Sequence, residues 1–218
     1  MIPVATDDGA PPGSETDATM PSDDRTVTCA PAGKRIRFVE TAEETNGART
    51  RFEMWLDAPP NSHGPMLHVH PAQDEDLEVV AGRLGVRIRD PTADGGRRFE
   101  RYALGPGESI TIPKGVPHRF WNAGTEALHL TGEVRPALRT ETFMRVTYGL
   151  AEDGHSTPSG MPLNPLRLAV VLDRFDDLLW LALLPLWVQQ FGVRLLAPVG
   201  RALGYPSEYS EYESADRQ

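Results

Sequence analysis

Short alternating runs of apolar and polar residues organise the middle of the chain, and Gly- or Pro-containing turns separate them. Arg35–Thr41 and Thr50–Ala58 read as strands, the second with Phe52, Met54 and Leu56 on one face. Met66–Val69 and Asp76–Ala81 follow. In Arg83–Arg89, Leu84, Val86 and Ile88 face one way while Arg83, Arg87 and Arg89 face the other. Pro91–Gly96 reads as a loop, and Arg97–Leu104, Ser109–Ile112, His118–Asn122 and Leu128–Val134 complete the series. Many short strands between tight turns predict an all-β sandwich or barrel of jelly-roll type.

After Pro136 the period lengthens. An irregular connector over 138–162 contains one expected helix around Thr140–Tyr148. Asn164 and Pro165 then form an N-cap and N1 pair. Leu168, Val171, Leu172, Phe175, Leu178 and Leu179 recur at helical spacing behind it. Pro185 is expected to break that helix, with a second running to about Leu203 and stopping at Gly204. The uncharged run 178–193 is 16 residues long and is interrupted by Pro185, Gln189 and Gln190. A membrane span needs about 20 apolar residues. The expectation is a helical pair packed on the β domain or on a second subunit. Contact with a membrane surface through Trp180 and Trp187 is the minor alternative.

Composition sharpens the boundaries. Net charge is −9, but residues 1–24 hold six acids and no Lys or Arg, and 206–218 hold four acids and one Arg. The body between them is neutral. It offers no basic patch for nucleic acid. The expected organisation is a disordered acidic segment over 1–33, a β domain over 34–136, a connector and α-helical extension over 137–205, and an acidic flexible tail over 206–218. Cys29 is the one cysteine, expected to be exposed and unreactive. A lone cysteine fits a reducing cytoplasm, the compartment expected here. The first residues lack the basic and apolar regions of a secretory signal.

The candidate chemistry lies in two phrases. His68 and His70 are two residues apart, so on a strand both imidazoles share a face and can converge on one ion. Glu75 follows a short excursion and adds an anionic oxygen. His118 arrives from another strand, placed by the rigid Pro113–Gly115 turn. Three imidazoles and a carboxylate suit one divalent transition metal: Fe, Mn, Ni, Zn or Cu. Asp76 and Glu78 fall on the outer face by strand parity, and Asn122 reads as a turn former.

These phrases resemble the paired motifs of the cupin superfamily. Gly107, Pro113, Gly115, His118 and Asn122 match the second motif in full. His68, His70, Glu75 and Gly82 match the first. There, three residues separate Gly64 from His68 where the family has five. The resemblance covers about residues 35–136. It implies a mainly β protein, a small jelly-roll β-barrel with a C-terminal α-helical extension. It also implies that His68, His70, Glu75 and His118 are the metal ligands. The chain is most similar to small, single-domain quercetinase-like cupins. This implies a metal-dependent dioxygenase-like oxidoreductase acting on a small oxygen-chelating substrate, with Glu75 able to serve as catalytic base. A metal-dependent isomerase, cyclase or lyase, or a non-catalytic binding protein, are the alternatives on this fold. A homodimer is the expected assembly.

Overall fold

A computed structural model of the chain describes residues 25–90, 98–157 and 159–213. Eleven strands form two antiparallel sheets among these residues. β1 (Thr26–Cys29), β2 (Lys34–Glu40), β3 (Thr50–Leu56), β5 (Asp74–Ala81), β8 (Ser109–Ile112) and β10 (Leu128–Arg135) make the larger sheet, in the order β1-β2-β3-β10-β5-β8. β4 (His68–Val69), β6 (Leu84–Arg89), β7 (Phe99–Leu104), β9 (His118–Asn122) and β11 (Trp180–Leu181) make the smaller one, ordered β11-β4-β9-β6-β7. The alternation works as expected. Phe52, Met54 and Leu56 point inward from β3 and join Ile36, Phe38 and Leu84 in the core.

The mainly β architecture with a helical extension is as expected, and the jelly roll takes the form of two sheets that do not close into a barrel. The ladders end at β1 and β8 in one sheet and at β11 and β7 in the other, and among the described residues no ladder joins them. Two glycines permit the tight packing. A Cβ on Gly64 would lie 1.8 Å from the Phe120 carbonyl oxygen, so the loop before β4 can approach β9 only without a side chain. Gly82 turns the chain between β5 and β6 with φ of 87°.

Several boundaries differ from the sequence reading. Residues 25–33 are not part of a disordered segment. β1 pairs with β2 from Thr26↔Arg37 to Cys29↔Lys34, and a 3-10 turn over Ala30–Ala32 closes the hairpin. Cys29 and Ala32 are buried in the core. Two buried side chains in a short polar stretch give too weak a pattern to read. Residues 1–24, the rest of the segment expected to be disordered, lie outside the described residues, as do Arg97 and the Pro91–Gly96 loop. Cys29 is therefore not exposed, and burial pushes its thiol pKa up.

Beyond the sheets, α1 (Thr140–Glu152) and α2 (Pro165–Arg174) pack Phe143, Val146, Leu150, Val171 and Phe175 into a second cluster. Asn164 caps α2 as expected, its Oδ1 accepting from the Leu166 and Arg167 amides at 2.9 and 3.2 Å. The helix stops at Arg174, not at Pro185. Leu178 and Leu179 are buried without being helical, and Trp180–Leu181 adds a strand to the two-residue β4. An unpaired edge beside the site is thereby covered, and tertiary pairing overrides the helical period. Trp180 is buried and cannot meet a membrane. No helix among the described residues is long and apolar enough to cross one.

α3 (Leu186–Ala202) follows Pro185. The 206–218 tail is not flexible throughout. α4 (Ser210–Glu213) docks Tyr209 and Tyr212 into the second cluster, and Arg174 pairs with Glu213. Residues 214–218 lie outside the description. The outer side of α3 is bare. Trp187 is 71% exposed and Phe191 63%, and Leu183, Leu184, Leu195 and Leu203 are also largely exposed.

Candidate metal centre

The two strands that carry the histidines are neighbours in the smaller sheet, and His68 pairs directly with His118. Register therefore places two imidazoles side by side. Their ring centroids lie 4.2 Å apart, and His70 lies 4.9 Å from His68 and 5.5 Å from His118. Glu75 reaches the same point from β5 of the opposite sheet. All four expected ligands are buried, and their donor atoms lie within 4.8 Å of one another.

Each ring is oriented by its other nitrogen. Nδ1 of His68 donates to the Met66 carbonyl at 2.8 Å, and Nδ1 of His118 donates to that of Val116 at 2.9 Å. Nδ1 of His70 donates to the Leu178 carbonyl at 2.7 Å. A carbonyl only accepts, so each Nδ1 carries a proton, and in the neutral ring each Nε2 keeps its lone pair for a metal. Three such rings are pre-set as metal ligands.

The fourth donor supplies a further test. His118 Nε2 and Glu75 Oε2 approach to 2.8 Å. Both atoms are buried with no other hydrogen-bond partner. With His118 neutral, its Nε2 lone pair and the carboxylate oxygen, turned towards one point, would fit a cation between them. The residues present therefore suit the group that the donor set implies.

Electrostatics agree. Burial, with His118 and His70 nearby, holds the His68 pKa well below the usual imidazole range. Burial likewise lowers that of His70. Both rings are neutral at pH 7, as ligands must be. Burial opposes charge on Glu75 and His118 too, but each offsets it for the other. Glu75 is held below and His118 above its ordinary value.

The remaining sequence expectations sort cleanly. Asp76 points outward and pairs with Arg135. Asn122 is a turn former: its Oδ1 accepts from the Gly124 amide at 2.9 Å, and its Nδ2 donates to the Glu126 carbonyl at 2.7 Å. His129 stacks on Trp55, away from the cluster.

His68, His70 and Glu75 also line a small, partly open cavity with about 90 Å³ of room for the centre of a water-sized sphere. Its wall is mostly apolar and draws on both halves of the chain: Met54 and Phe120 from the sheets, Phe143 and Tyr148 from α1, Met161 and Leu178 beyond. Lys34 lines it too. Sequence reasoning missed this residue. Its signal was parity: in β2, Lys34 alternates onto the same inner face as Ile36 and Phe38.

Residues 54–132 match the family model described as Cupin domain. No curated protein matches the chain. Among solved structures, KdgF from Halomonas sp. aligns at 18% identity and a TM-score of 0.38, over 48% of this chain and 79% of that one. An RmlC-like cupin from Shewanella frigidimarina aligns at 18% identity and a TM-score of 0.39, over 50% and 82%. The cupin domain of Schizosaccharomyces pombe Cnp3 aligns at 12% identity and a TM-score of 0.38, over 51% and 66%. Likenesses this distant bear on neither substrate nor reaction.

Proposed function

We propose that the protein is a metal-dependent oxidoreductase of dioxygenase type, a reading in keeping with the match of residues 54–132 to the Cupin domain model. Its substrate is a small, largely apolar molecule that chelates through oxygen. The supporting observation is the continuity of the ligand cluster with an apolar cavity, since His68, His70 and Glu75 are part of the cavity wall. His68, His70, Glu75 and His118 would hold one divalent ion, of Fe, Mn, Ni, Zn or Cu. Bound there, the ion supplies Lewis acidity and, if redox-active, electron transfer.

The chain's own residues have separate tasks. The three carbonyls behind the imidazoles fix their direction. Glu75, kept ionised, can accept a proton from a phenol or enediol oxygen presented at the cluster. The methionine and phenylalanine side chains of the wall limit water around the reacting group. A redox-neutral isomerase, cyclase or lyase uses the same parts without dioxygen.

Metal analysis of protein purified anaerobically, followed by an oxygen-electrode screen of flavonols, diketones and catechols, tests the reading. The expected result is about one ion per chain and substrate-dependent oxygen uptake. Glu75→Gln should lower that uptake roughly 100-fold or more per bound ion. A loaded protein indifferent to oxygen with every class rejects the oxidoreductase in favour of the redox-neutral reading. Protein that takes up none of the five metals rejects both.

A further inference from the structure

Lys34 opens β2, on the inner face of the larger sheet, where the alternating pattern otherwise places Ile36 and Phe38. It is only 6% exposed. A lysine in such a position normally has a carboxylate beside it. Among the described residues none pairs with this one: burial lowers its pKa to about 8, and the Cys29 thiol, its partner across the β1–β2 ladder, opposes that shift. At pH 7 the ammonium is still mostly protonated. Partial compensation comes from the Tyr148 ring, whose centroid lies 5.7 Å from Nζ. Burial pushes the Tyr148 hydroxyl pKa up, so it stays neutral and gives no counter-charge.

Lys34 lines the same cavity as His68, His70 and Glu75. Among the lining residues it is the sole Lys or Arg. The cavity thus has the ligand cluster, Glu75 included, in one part of its wall and a buried ammonium with no ion-pair partner among the described residues in another, with Met54, Phe120 and Phe143 among the rest.

We propose that Lys34 is the anion-recognition point of this cavity, and that its ligand is an apolar organic acid carrying one carboxylate apart from its metal-chelating oxygen. The inference rests on the cavity being the substrate site, as argued above. One cation in an apolar wall matches a singly charged group. A phosphate dianion would leave a charge uncompensated among methionines and phenylalanines.

Calorimetric titration of the full chain at pH 7 with 3-phenylpropionate and with the neutral isostere 3-phenylpropionamide tests this in metal-free protein, where no ion competes for the carboxylate. The acid is expected to bind at least tenfold more tightly than the amide. Lys34→Met should bring the two within about twofold. Equal affinities in the unmutated protein, or no binding of either compound, overturn the proposal without need of any variant. A preference kept in a folded Lys34→Met protein overturns it as well. Acid preference in metal-free protein supports Lys34 even if the oxygen screen fails. Metal uptake and oxygen consumption without acid preference leave the oxidoreductase standing and remove this inference.

Discussion

Adding a metal to metal-free protein should stabilise the fold by an amount that the geometry lets us estimate. The donor atoms already lie within 4.8 Å of one another, and three carbonyls hold the rings. Little ordering therefore opposes binding. At free metal 100-fold above the dissociation constant, mass action contributes about 2.7 kcal/mol. For a folded unit of this size, each kcal/mol raises Tm by roughly 2–4 °C, so the expected shift is about 5–10 °C. His68→Ala removes one of four donors. If affinity falls about 100-fold, the same metal concentration contributes only about 0.4 kcal/mol, a shift of about 1 °C. The assay is differential scanning calorimetry, with each protein compared to itself with and without metal. That comparison cancels the separate cost of removing a buried ring. Equal shifts in both proteins, or no shift with Fe, Mn, Ni, Zn or Cu, would refute the reasoning.

Metal uptake should also release protons in a defined way. His68 and His70 are already neutral, whereas His118 sits above its ordinary 6.5. Loading near pH 7 should displace no more than one proton, declining as pH rises through the His118 value; two or more protons by buffer-dependent calorimetry would contradict this. In metal-free protein the His118 contribution to stability is full below 6.5 and lost as pH rises through its raised folded value. The Glu75 contribution is full above 4.5 and lost as pH falls through its lowered one. The bare side of α3 should pair with a second copy of the chain. Trp187, Phe191, Leu195, Val199 and Leu203 recur at every fourth position, a ridge able to pack against its own copy. With Leu183, Leu184, Leu186 and Leu196 they expose on the order of 1,000 Å² of apolar residue surface, well beyond an ordinary monomer patch and enough for one side of a standard interface. Sedimentation should find a dimer that Phe191→Glu with Leu195→Glu converts to monomer at unchanged metal content. A monomeric parent, or vesicle binding by the parent in place of pairing, would rule this out.

The cluster of four side chains was legible because its spacing reflects strand geometry. His68 and His70 share a face by parity, and the Pro113–Gly115 turn delivers His118 opposite His68. Asn164 announced α2 through simple capping chemistry. What stayed hidden depends on distant partners. The carbonyl that orients His70 belongs to Leu178, 108 residues away. Leu178 and Leu179 kept a helical period although pairing at β4 claims the residues after them for a sheet. Lys34 looked like any solvated strand lysine, because the polarity of one residue does not say which face of β2 is buried. Tyr209 and Tyr212 lay in an acidic stretch whose charge outweighed two aromatic anchors.

The Leu178 carbonyl joins the C-terminal extension to the imidazole of His70, so the extension cannot be a passive appendage. A fragment ending near Pro136 would free that ring to rotate, and would strip β4 of its neighbouring strand. Thermodynamic reciprocity carries the point outward. If an ion is held there, a partner on the far side of α3 that steadies this segment would tighten the grip on it, and loading the ion would in turn favour that partner.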